Sequence, residues 1–105
     1  MTYTLVMTTC PEKSVAQTIA HGLIESKLAA CVHILPSGTS VYRWEGNIEE
    51  AEEHTLLIKT ENTQYKKLEK VITTLHPYEL PEIIVVPIST GLSGYLSWIG
   101  ETLQS

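Results

Sequence analysis

Two extended runs, Leu28 to Tyr42 and Ile48 to Thr60, flank the turn signal Trp44-Glu45-Gly46-Asn47 and read together as one long β-hairpin. Strands of about a dozen residues rising about 3.3 Å each reach roughly 40 Å. A compact domain of about 100 residues has a radius of gyration of only about 13 Å. The end of the hairpin must therefore overhang, leaving backbone donors and acceptors open. A second copy of the chain can supply the missing pairing, so a homo-oligomer is expected. Pro36-Ser37-Gly38 interrupts the first run and belongs at a bulge or on an edge strand.

The flanking segments fix the order of elements. Thr2 to Thr9 is rich in Val, Leu, Thr and Tyr and predicts a first strand. Pro11 marks a helix start, with Thr9 or Cys10 as N-cap and Glu12 in the first turn. Val15, Ala16, Ile19, Ala20, Leu23 and Ile24 recur at helical spacing, so this helix is expected from about Glu12 to Lys27. A second amphipathic helix carries Tyr65, Leu68, Val71, Ile72 and Leu75 on one side. Ile83-Ile84-Val85-Val86 is an unbroken aliphatic run, expected to be a strand buried on both faces. Tyr95, Leu96, Trp98, Ile99 and Leu103 predict a closing helix. The order is β-α-β-β-α-β plus a terminal helix, an α+β ferredoxin-like sandwich with a long central hairpin. It forms one domain across residues 1–105.

Composition excludes several classes of partner. The net charge is -5 and no stretch concentrates Lys and Arg, which argues against nucleic acid. No run approaches about 18 apolar residues, and Met1 to Val6 lacks the basic and apolar regions of a leader, so neither a membrane nor export is expected. Cys10 and Cys31 are far apart without CxxC spacing; in a reducing cytosol both are expected to be free thiols, either buried or functional. Asp is absent, which argues against calcium loops.

Leu75-His76-Pro77-Tyr78-Glu79-Leu80-Pro81-Glu82 holds two prolines that push His76 and Leu80 toward extended backbone. The result is a stiff turn presenting an imidazole, a phenol and two carboxylates, or simply a strong helix stop. Elsewhere, Cys31 reads as core, His33 and His54 as surface or interface, and His21 as solvated. Glu49, Glu50, Glu52 and Glu53 read as a solvated hairpin. Thr90 to Gly94 reads as a plain connection rather than an anion site.

Lys27-Leu28-Ala29-Ala30-Cys31-Val32, Tyr42-Arg43-Trp44-Glu45-Gly46, Ile58-Lys59-Thr60, His76-Pro77-Tyr78-Glu79 with Pro81-Glu82, and Tyr95-Leu96-Ser97-Trp98-Ile99 together resemble the CutA divalent-cation tolerance family. The resemblance implies a ferredoxin-like subunit in a tight homotrimer. It also implies a cytoplasmic protein concerned with tolerance of copper and other divalent metals. Metal ligands are proposed in that family on a Cys ending the first strand and on His beside the His-Pro turn. Matched to this sequence, they are Cys10 and His76, while Leu75 stands where some members carry another His.

The sheet order 4-1-3-2 implied by the resemblance brings Cys10, the His76 to Glu82 turn and the Trp44-Glu45 tip to one end of the subunit. A helix N-terminus beside Cys10 would favour its thiolate. Thiolate and imidazole, with an oxygen from Glu79 or Glu82, suit copper or zinc better than magnesium or calcium. Read structurally instead, Cys10 is a small cap residue and His76 a helix-terminal side chain near the last carbonyls.

The expected function is a cytoplasmic homotrimer in the response to divalent metals, binding copper or a similar cation without an organic cofactor. The alternative is a small-molecule-binding trimeric signalling module without a physiological metal role, using a cleft near Lys59 or Gly91 to Gly94. No nucleophile with its base and orienting partner, phosphate loop or cofactor motif is present, so an enzyme is not expected.

Overall fold

A central strand, β1 (Tyr3–Cys10), organises the protein; the structure is a computed structural model that describes residues 2–104. The following elements are α1 (Lys13–Glu25), β2 (Cys31–Ile34), β3 (Gly38–Trp44), β4 (Asn47–Glu61), α2 (Tyr65–Leu75), β5 (Ile83–Pro87) and α3 (Ser93–Gln104). The sheet is antiparallel and ordered β2-β4-β1-β5, with β3 also paired to β4. This is the expected α+β ferredoxin-like arrangement with a third helix appended.

β2 and β3 are two halves of one edge. From Ile34 to Gly38 the chain takes four steps while its partner takes three, from Leu56 to Glu53. The extra residue is a bulge at Leu35-Pro36-Ser37, where proline has no amide to offer the ladder. At the far end Glu45 (φ 50) and Gly46 (φ 84) are both left-handed, which makes the two-residue turn that suits the twist of a hairpin. The long axis of the molecule is 44 Å, against 25 and 23 Å for the others. The ribbon beyond the bulge accounts for that elongation.

Alternation along the strands sorts the core. Thr4, Val6, Thr8 and Cys10 of β1 are buried, as are Leu56, Ile58 and Thr60 of β4. α1 and α2 cover this face through Ala16, Ile19, Leu23, Leu68 and Ile72. α3 packs near one end of the opposite face, where Ile99 and Leu103 meet Ala30 and Tyr3. α1 ends two residues before its expected limit. Lys27 takes φ 58, and the Leu28 N–H reaches the Leu23 carbonyl at 2.9 Å in a Schellman-type stop.

Two expectations need correction. Ile83 to Val86 is not buried on both faces of the single chain: β5 is an edge strand, and Ile84 and Val86 are 48% and 41% exposed. α1 begins at Lys13 with Glu12 as N-cap, so neither Thr9 nor Cys10 caps it. β1 continues through both of those residues because each still pairs with β4.

Candidate functional site

Pro77 fixes the position of the imidazole. It drives His76 into extended backbone (φ -77, ψ 136) and ends α2 at Leu75, although the His76 N–H still reaches the Ile72 carbonyl at 2.8 Å. The side chain turns back onto β1 and is 7% exposed. Its Nε2 lies 2.7 Å from the Thr9 carbonyl. A carbonyl only accepts, so Nε2 carries the proton; Nδ1 is then free to accept the Tyr78 N–H at 3.1 Å.

The network continues outward. The Tyr78 ring lies 4.8 Å from the imidazole, and its hydroxyl donates to Glu53 Oε2 at 3.0 Å. Partial burial, that hydrogen bond and the Glu53 charge push the Tyr78 phenol up to about 12. Glu53 is only 9% exposed, unlike its neighbours Glu49, Glu50 and Glu52. The sequence reads it as one of a solvated row, whereas the structure buries it against the His-Pro turn. Locally Glu49-Glu50-Ala51-Glu52-Glu53 looks uniformly charged, and only the fold of the distant His-Pro turn across β4 selects one carboxylate.

Cys10 ends β1 opposite His54, beside the carbonyl that His76 binds. Its side chain is fully buried among the residues under α1 and α2. The expectation of a thiolate favoured by a helix N-terminus is therefore reversed. Burial pushes the thiol up to about 11, and the Glu53 charge adds to the shift. At neutral pH Cys10 is a protonated core side chain.

The fold thus brings Cys10 and His76 to one end of the sheet, with Glu53 and Tyr78. The other candidates separate from them. Leu75 packs on α1, 3.6 Å from where a Gly22 Cβ would stand. Glu79 and Glu82 are exposed. Trp44 and Glu45 lie at the same end, but the Trp44 pair and the Cys10 pair are seven steps apart along β4, about 23 Å of strand. Cys31 is half-buried rather than core, with Lys59 Nζ 4.0 Å from its Sγ. His33 and His21 are exposed, and His54 is half-buried with Nδ1 3.0 Å from the Leu35 carbonyl.

As arranged, this end is not a ready metal pocket. Both nitrogens of His76 are engaged and Cys10 holds its proton. No group of three or more His, Cys, Asp or Glu side chains is gathered for a metal ion among the described residues.

The sequence profile of the CutA1 divalent ion tolerance protein family matches residues 4–102. The chain belongs to the CutA1 family. Divalent-cation tolerance protein CutA of Thermus thermophilus is 46% identical over 97 residues, covering 92% of this chain and 94% of that protein. The Protein CutA homolog of Xenopus laevis is also 46% identical, over 89% of this chain, which spans only 62% of that longer relative. A solved structure of the periplasmic divalent cation tolerance protein CutA from Archaeoglobus fulgidus superposes with a TM-score of 0.93 at 37% identity. It covers 96% of this chain and 98% of its own. Membership in the CutA1 family supports a role in divalent-metal tolerance. No described helix of this CutA1 chain is long and apolar enough to cross a membrane.

Proposed function

We propose that this CutA1 chain acts in divalent-metal tolerance as a non-enzymatic, cytoplasmic homotrimer that takes up copper or a similar thiophilic cation at Cys10 and His76. The observation that carries this reading is their convergence: the His76 ring binds the backbone carbonyl next to Cys10 from 67 residues away. Thiolate and imidazole together favour copper and zinc over harder cations. Uptake requires the Cys10 thiol to lose its proton and the imidazole to release one of its two hydrogen bonds. The closed arrangement is then a resting state, and affinity is moderated by the cost of opening it.

The trimer is supported by rows of exposed apolar side chains. Val41, Trp44 and Ile48 on the ribbon are 64%, 51% and 69% exposed, and Ile84 and Val86 lie on an open sheet edge. Surfaces of this kind favour association with further copies. Sedimentation equilibrium tests it, and a monomer at micromolar concentration would refute it.

Metal uptake is tested by calorimetric titration of the reduced protein with zinc and, anaerobically, with cuprous ion. Cys10→Ala and His76→Ala are each expected to weaken binding at least about tenfold. Because a proton held with a value of about 11 must leave Cys10, apparent affinity should rise about tenfold per pH unit between about pH 6 and 8. Unchanged affinity in both variants would remove these residues from the metal role.

A further inference from the structure

At the end of the sheet opposite Cys10, β4 runs out at Glu61 and the chain turns through Asn62–Gln64 into α2. Glu61 is 5% exposed. Its Oε1 is buried without a hydrogen-bond partner, while Oε2 accepts a long hydrogen bond of 3.5 Å from the Thr63 hydroxyl. Burying a carboxylate so poorly paired is costly unless something compensates it.

The surroundings are tight on the α3 side of this carboxylate and open on the other. Gly100 of α3 faces this carboxylate, and a Cβ there would stand 3.1 Å from Oε1 and 3.0 Å from the Tyr3 hydroxyl. Glu61, Asn62, Thr63 and Gln64 line a cavity of about 350 Å³ that also reaches Thr2 and Leu103. That size lies within the range of small-molecule pockets. Among the described residues of the lining Glu61 is the one ionisable side chain, and its polar neighbours are hydroxyls and amides.

These features decide the ligand class. A buried anion calls for a cation. A metal ion bound without water needs several carboxylate, imidazole or thiolate donors, and the described lining residues supply one. A primary ammonium carries three N–H donors and matches one carboxylate supplemented by neutral hydroxyl and amide oxygens. We propose that the Glu61 cavity binds a small molecule bearing a primary ammonium group, with Glu61 as its counter-charge. The site lies at the opposite end of β1 from Cys10, because Tyr3 pairs with Glu61 and Cys10 with His54. It therefore stands independently of the metal reading.

The test is amide NMR titration of the intact protein with 1,4-diaminobutane as the probe. Saturable shifts are expected at Asn62, Thr63 and Gly100, and 1,4-butanediol should bind at least about tenfold more weakly because it lacks the charge. Glu61→Gln keeps the side-chain shape and should weaken diamine binding by a similar factor, whereas Cys10→Ala should not. The diamine and diol comparison on the unaltered protein decides the matter even if a variant fails to fold. Absence of saturable shifts, equal response to the diol, or an unchanged affinity in a folded Glu61→Gln protein would overturn the proposal. So would magnesium chloride shifting the same amides while the diamine does not, since the site would then serve a hard metal ion.

Discussion

Ile72→Ala should lower the stability of the fold by about 2–5 kcal/mol, as large-to-small substitutions in packed cores do. Ile72 is fully buried on α2, in the same cluster as Ile19 and Leu23 of α1 and Val6 and Ile58 of the sheet. Truncation removes apolar contact with both α1 and the sheet, and the backbone of a continuous helix cannot readily collapse into the gap. Ile72→Val removes a single methylene and should cost only about 0.5–1.5 kcal/mol. Urea unfolding of the two variants beside the parent checks both figures. Equal midpoints for Ile72→Ala and the parent would mean that α2 does not lock the helical layer onto the sheet.

His76→Ala should cost about 2–4 kcal/mol, because it removes buried packing and leaves the Thr9 carbonyl without its partner. β5 pairs with β1 only as far as Thr8, and the His76 ring takes the carbonyl one residue further on. The imidazole thus extends the edge of the sheet where the strand stops. His76→Phe retains much of the ring volume but none of the hydrogen bonding, so it should recover part of the loss, with a residual cost of about 1–3 kcal/mol. Thermal unfolding without metal separates this structural role from the proposed uptake of a cation. If both variants melted with the parent, the 2.7 Å contact with Thr9 would carry no stabilising weight.

Much of the architecture was legible because hydrophobic period and turn chemistry are local signals. The Glu45-Gly46 turn, the interruption at Pro36 and most of the α1 and α2 stripes appear where the sequence places them, although Ile24 and Leu75, at the helix ends, are 42% and 41% exposed. The convergence of Cys10 and His76 also followed, but only through a sheet order supplied by family resemblance. What the sequence hid was environment. Cys10 reads as a helix-terminal residue because Pro11 follows it, yet the same alternation that buries Val6 and Thr8 also buries Cys10. Counting by twos from Val6 would have exposed the error. Glu53 had no comparable local signal, since the hydroxyl it accepts from belongs to Tyr78, which is 25 residues away. The exposure of Ile84 and Val86 was missed for a related reason: an aliphatic run reports that a strand will be covered, but not whether its own chain or another copy does the covering.

The bulge at Leu35-Pro36-Ser37 divides β4 into unequal parts. From His54 onward, β4 is flanked by β1 and backed by helices; before it, the strand belongs to a two-stranded ribbon with only β3 beside it. A lone hairpin is marginal in water. Amide deuterium uptake along this one strand should therefore change abruptly near Glu53, with fast exchange toward Asn47 and slow exchange toward Thr60. If neighbouring copies clasp the ribbon, dilution should accelerate exchange in the outer segment alone, turning half of a single strand into a gauge of assembly.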